Sequence, residues 1–162
     1  MSPGAQVPLG WASTPFASLA VPDLYDLLQL RSEVFVVEQA CLFQDMDGVD
    51  AQAIHLLGRQ GGQLVAYARC FPAGVTFAEA SIGRVATRLS ARGGGLGHRL
   101  VEQAMGLIVA HWGPQAIRIG AQAHLKHFYS AHGFIDVGKP YVEDGIDHLE
   151  MLRPFSQPGV TL

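Results

Sequence analysis

Two cysteines in 162 residues, Cys41 and Cys70, are too few for a disulfide framework, and no metal-ligand spacing surrounds either. Lysine is also scarce. Two lysines stand beside nine arginines, and no dense basic run gathers them. With a net charge of −3, the chain offers no surface for nucleic acid or an anionic membrane. No stretch approaches about 18 apolar residues, so no spanning helix is expected. Residues 1–21 lack a basic start and a continuous apolar core, so they do not read as a signal peptide, and a reducing cytoplasm is the expected compartment. What the chain does have is a 49% apolar and 15% charged composition, which suits a folded chain long enough for one sizeable core.

Breakers and periodicity divide that length. Residues 1–10 are rich in Pro, Gly and Ser and read as a flexible tail, 11–153 as one domain, and 154–162 as a second tail. A short first strand is expected within 11–19. Asp23 can cap a helix whose apolar positions are Leu24, Leu27, Leu28, Val34 and Phe35. The stretch 45–50 reads as a loop. Strands are expected at 54–59 and 63–71 around a Gly61-Gly62 turn, and at about 78–87. Leu96, Leu100, Ala104, Leu107 and Ile108 mark one face of a helix that Gly113-Pro114 stops. A strand at 116–121, a short helix at 124–132 closed by Gly133, and a hairpin of 134–137 with 146–153 complete an α/β order with a mixed sheet.

Arg92-Gly93-Gly94-Gly95-Leu96-Gly97 stands between a strand and an amphipathic helix. Glycines there leave N–H groups free to surround an anion, and the arginine adds positive charge, so the loop is a place to hold phosphate. No Gly-Lys-Ser/Thr follows Gly97, which removes the lysine of a nucleotide P-loop. The loop comes late in the chain and the next strand ends without an acid, which disfavours a dinucleotide fold.

This loop resembles the Arg/Gln-x-x-Gly-x-Gly/Ala loop of the GCN5-related N-acetyltransferase (GNAT) superfamily. The stretch Ser81-Ile82-Gly83-Arg84-Val85-Ala86 resembles that family's central strand, and 123–134, with Phe128-Tyr129 and Gly133-Phe134, its later helical motif. The chain is more similar still to the bacterial ElaA-type branch, through 30–39, Asp45-Met46-Asp47-Gly48, 120–125 and 141–148. The likeness covers roughly residues 20–153. It implies a mixed, largely antiparallel central sheet flanked by helices and splayed between two parallel middle strands. It also implies an acetyl-CoA cofactor.

The resemblance further implies a layout for the site. The pyrophosphate of coenzyme A would meet the N–H groups of Gly93, Gly94, Gly95, Leu96 and Gly97, with Arg92 contacting a phosphate or holding the loop. The pantetheine arm would run beside Arg84, Val85 and Ala86, in the opening toward 116–121, and Val85 would supply only backbone groups. Tyr129 matches the family tyrosine facing the cofactor sulfur, where a phenol can protonate a leaving thiolate. For the proton of the attacking amine, His124 and Glu79 are the first candidates, ahead of Glu38, Glu143 and His148. His124 and His127 lack a matching cysteine or carboxylate, so no zinc site is expected.

The acidic loop at 45–50 and the acids Glu143, Asp144 and Asp147 would flank a cleft for a small-molecule or peptide amine, with a homodimer possible. On the first helix, Arg31 and Glu38 are seven apart and share a face. The leading expectation is direct transfer of an acetyl group to a primary amine, with no cysteine nucleophile. A non-catalytic acyl-CoA-binding module and an enzyme like the acyl-homoserine lactone synthases are the alternatives.

Overall fold

The computed structural model describes residues 7–155. The remaining parts of the two expected tails, 1–6 and 156–162, lie outside the described residues. Seven strands form one sheet: β1 (Leu9–Pro15), β2 (Ile54–Gln60), β3 (Gln63–Phe71), β4 (Ala80–Thr87), β5 (Ile117–Gln122), β6 (Ile135–Glu143) and β7 (Ile146–Arg153). Their order is β1-β2-β3-β4-β5-β7-β6, and every pairing is antiparallel except β4 with β5. This is the mixed, splayed sheet that the family resemblance implies. β1 starts at Leu9, inside the stretch read as tail. β6 is longer than expected because Gly138 and Pro140 fall at an irregularity between Asp136 and Pro140, on an edge strand, where a missing N–H costs little.

Among the described residues, three α-helices flank the sheet: α1 (Val21–Arg31), α2 (Leu96–Trp112) and the short α3 (Lys126–Ser130). None among the described residues is long and apolar enough to cross a membrane. α1 begins three residues earlier than the Asp23 cap suggests. Its N-cap is Ala20, and Pro22 sits in the first turn, where its missing N–H has no helical partner to lose. α1 runs directly into a π-helical stretch, Ser32–Glu38. The wider i→i+5 winding breaks the seven-residue phase, so Arg31 and Glu38 do not share a face: Arg31 is fully buried and Glu38 is exposed.

The two faces of the sheet carry different cores. On one, Leu96, Leu100, Val101, Ala104, Leu107 and Ile108 of α2 pack against Leu56, Ile82, Ile119 and Met151. On the other, Leu27 and Leu30 of α1, with Val34, cover Leu57, Leu64, Tyr67 and Ala86. At about 25 cal/mol per Å² of apolar surface removed from water, these stripes hold the helices in place. α1 reaches only the β1–β4 half of its face.

Candidate active site

The parallel pair β4–β5 is joined at two rungs, Ala80–Ile117 and Ser81–Arg118, and then diverges. The divergence opens a cleft of about 1090 Å³, lined by β4, β5, the π-helical stretch, α3 and the β6–β7 hairpin. Beside it, β4 is bulged. Tyr67 pairs with Ala86 and Arg69 with Gly83, so Arg84 and Val85 oppose the single residue Ala68. A bulge leaves the extra residue outside the ladder, with its main-chain groups free.

Arg84 takes a left-handed φ of 49°, a conformation that costs a side-chain-bearing residue about 1–2 kcal/mol. What holds it there is a clamp on its guanidinium. Nε donates to Asp45 Oδ1 at 2.8 Å, and a second nitrogen donates to the Asp45 carbonyl at 2.9 Å. The side chain of Arg84 is therefore committed to the 45–50 loop, which leaves its main chain to face the groove. Ala86 is buried under α1, and Val85 packs against the α2 core, so their side chains are filler as well.

The glycine loop stands at the end of β4. Gly93 and Gly95 have φ of 101° and 75°, and Gly95 is the N-cap of α2. That left-handed cap turns the loop into the helix without a side chain over its mouth. Among the described residues, no protein acceptor takes the N–H of Gly93, Gly94, Gly95, Leu96 or Gly97. Leu96 is buried, so only its main chain is available. A Cβ on Gly97 would lie 3.3 Å from the Phe128 ring, so the glycine lets α3 close against the first turn of α2. Arg92 holds the loop: it donates to the Thr87 carbonyl at 2.7 Å and pairs with Glu38 at 3.0 Å.

Tyr129 lines the cleft, wedged edge-on between Phe128 and Phe134. Burial pushes its phenol pKa well up, so the proton stays on the oxygen at neutral pH. His124 lies exposed at the end of β5, on the cleft wall, with no hydrogen bond among the described residues. Glu79 is differently placed. Arg118 donates to it at 2.7 Å and holds its carboxyl below the usual range, which leaves it a weak proton acceptor.

The 45–50 loop corrects a reading of the sequence. Asp47 does line the cleft, but three arginines from elsewhere pair with the acids of this loop, so they do not stand as free charge. Arg31 binds Asp45 and Asp50 at 2.8 Å each, Arg69 binds Asp47 and Asp50, and Arg84 binds Asp45. The Arg69 hydrogen bond holds Asp47 well below its ordinary pKa. Under this network, His55 bonds the Tyr67 hydroxyl at 2.6 Å and the Asp50 carbonyl at 2.9 Å, and burial lowers its pKa.

The sequence reading also missed a bridge across the cleft. Gln39, just past the π-helical stretch, and Gln122, at the end of β5, exchange amide hydrogen bonds of 3.3 and 3.5 Å. The hairpin side carries Tyr141 stacked on His148, with ring centroids 5.3 Å apart. His148 Nδ1 lies 2.7 Å from the Ile146 carbonyl. Nothing local in the sequence signals the glutamine bridge, since 83 residues separate its partners.

Comparison with known proteins agrees with this geometry. Residues 24–153 match the family model of the acetyltransferase (GNAT) domain. Protein ElaA of Escherichia coli strain K12 is 42% identical over 149 residues, covering 91% of this chain and 97% of ElaA. A solved structure of an acyl-CoA N-acyltransferase from Pseudomonas aeruginosa superposes with a TM-score of 0.86 at 42% identity, over 90% of this chain and 99% of that one. The crystal structure of Escherichia coli ElaA gives a TM-score of 0.83 at 40% identity, again over 90% and 99%.

Proposed function

The chain belongs to the GNAT acetyltransferase family, in its ElaA-like branch, and is an acyl-CoA-dependent acyltransferase; from that premise we propose that it moves an acetyl group from acetyl-CoA to a primary amine by direct attack. The observation that carries this reading is the opened β4–β5 seam, with a bulged strand on one wall and Tyr129 on another.

The residues present suit coenzyme A. Five successive N–H groups without protein acceptors, at the start of a 17-residue helix, suit a pyrophosphate. The main-chain groups of Arg84 and Val85, outside the β3–β4 ladder, suit an arm carrying amides. Acetyl-CoA supplies a carbonyl already activated toward amines. Around it, the N–H of Val85 would polarise the carbonyl oxygen. The Tyr129 hydroxyl, kept protonated by burial, would deliver its proton to the departing sulfur. Arg92 would keep the loop open by tying it to Thr87 and Glu38.

The test follows free thiol released from acetyl-CoA in the presence of primary amines and peptides. Amine-dependent release is expected. Tyr129→Phe should slow turnover about 10²-fold or more with CoA affinity retained. Gly95→Val should weaken CoA binding, because φ of 75° strains a β-branched residue and its side chain would crowd the loop. Tight CoA binding with no release on any acceptor would overturn the transferase reading in favour of a binding module.

A further inference from the structure

We propose that His148 is the proton acceptor for the incoming amine, a reading that rests on the transferase assignment above. The geometry around the ring settles which nitrogen is basic. The Ile146 carbonyl, 2.7 Å from Nδ1, can only accept a hydrogen bond. Nδ1 therefore carries the proton in the neutral ring, and the lone pair resides on Nε2. A base needs a lone pair facing the reactant and a partner that fixes its tautomer, and this ring has both.

The ring is also fixed in plane. Tyr141 stacks on it from the neighbouring strand at an interplanar angle of 24°, and only 11% of the side chain is exposed. His148 lines the same cleft as Gly83, Arg84, Val85 and Tyr129. Its nearest charged neighbour is Glu143, whose Oε2 lies 3.9 Å from Nε2. At that separation the carboxylate is beyond hydrogen-bond reach of Nε2. The other ionisable groups on this side are Lys139 and Tyr141 from β6, Asp144 at the hairpin turn, Glu150 two residues along β7, and Arg118 from β5 beside Glu150.

Three other acids of the region are committed: Glu79 is bound by Arg118, Glu38 by Arg92 and Asp47 by Arg69. Glu150 lies 3.6 Å from Arg118 and 3.7 Å from Lys139, while Glu143 and Asp144 line the cleft as exposed carboxylates that no other group orients among the described residues. His124 faces the cleft without an orienting partner. Of the groups that could take a proton, His148 alone among the described cleft residues combines an oriented ring with a free lone pair.

The step balances as follows. The amine nitrogen forms a bond to the acetyl carbon, and its proton passes to His148 Nε2. The carbon–sulfur bond breaks with its electron pair going to sulfur, and the Tyr129 hydroxyl supplies the proton that makes the free thiol. The products are the acetamide and coenzyme A. The proton on His148 then leaves to solvent as Tyr129 regains one.

The test uses His148→Asn, whose amide nitrogen can still donate to the Ile146 carbonyl but cannot accept the amine's proton. Thermal melting and CoA affinity should match the parent. With acetyl-CoA and a primary amine that the parent acetylates, kcat/KM should drop about 10²-fold or more, and the acid limb of its pH profile should disappear. Added imidazole should restore part of the rate to His148→Gly. A parent-like rate and profile in His148→Asn would overturn the assignment.

A second readout needs no acceptor. Nitrogen-15 spectra of the CoA-bound protein should show the neutral His148 ring with its proton on Nδ1. A neutral ring with its proton on Nε2 would overturn the proposal even if no amine were turned over. Absence of turnover in the parent would count against the transferase reading and leave this spectral outcome to decide on His148.

Discussion

The β1–β4 half of the sheet and the β5–β7 half are built from the same alternating strands, yet they treat the α1 side of the sheet in opposite ways. In the first half, Tyr67 and Ala86 lie under α1, and Arg31 and Arg69 are sealed with the acids of the 45–50 loop. In the second half, Gly120, Gln122, Tyr141, His148 and Glu150 line an open cleft. Both halves share the α2-side core. Charge is placed in both, but it is spent differently: in the first it is paired and buried, in the second it is left accessible to a reactant. The sealed half backs β4, and the open half holds the residues to which we assign the chemistry.

That contrast can be broken most severely at Arg31. Arg31→Met leaves Asp45 and Asp50 without a partner that is itself fully buried, and should cost about 3–5 kcal/mol in urea unfolding. A loss under about 1 kcal/mol would show that the network is ornamental. Next comes Gly58→Ala in the same half. A Cβ there would lie 2.7 Å from the Trp11 ring and 3.1 Å from the Ala66 Cβ, so a cost of about 1–3 kcal/mol is expected by the same measurement.

The pH dependence separates the halves without a core mutation. Asp47 is held low by its hydrogen bonds from Arg69. Asp50 is held low too, although burial pushes it the other way, because Arg31 and Arg69 donate to it. Depressed carboxyl pKa values give stability that is complete above the unfolded value of about 3.9 and lost as pH falls through the folded values. Stability should therefore hold from neutrality to about pH 4 and then decline. Asp47→Asn should show a shallower decline when denaturation midpoints are followed from pH 7 to pH 2.

The smallest stability effect belongs to the open half. Gly120→Ala would put a Cβ against the Tyr141 hydroxyl, closer than real Cβ contacts allow. The neighbour there is the end of a side chain facing open space, so the ring can move, and the cost should stay under about 1 kcal/mol. Thiol release should nonetheless fall, because the shifted ring no longer stacks on His148. A Gly120→Ala protein as destabilised as Gly58→Ala would erase the distinction between the halves.

The sealed half was partly legible in the sequence, and the open half less so. The apolar stripe of α2, the Gly61-Gly62 turn and the glycine loop are local patterns with local causes, so they could be read directly. The opening beside β4 was legible only through resemblance. The arginine–aspartate network was not, because its partners lie 14 to 39 residues apart and nothing local links them. The same distance problem made Glu79 look available, when Arg118, 39 residues on, occupies it. The π-helical winding escaped because apolar spacing near 3.6 residues continues plausibly through Val34 and Phe35. The carbonyl that fixes His148 is only two residues away, but a hairpin's backbone direction is a property of the fold and not of the letters.

Two rungs between β4 and β5 also make this molecule a pair of rafts lashed at one corner. Slow amide exchange belongs to the ladders inside each raft, and the fastest openings belong to the lashing. If the proposed arm lies along 83–87 as a guest, it would extend the ladder at the seam, so cargo would become mortar. Deuterium uptake in that segment should slow, and the melting temperature should climb, in step with how much of the guest is bound. Occupancy could then be read from the backbone alone, before any acceptor is known.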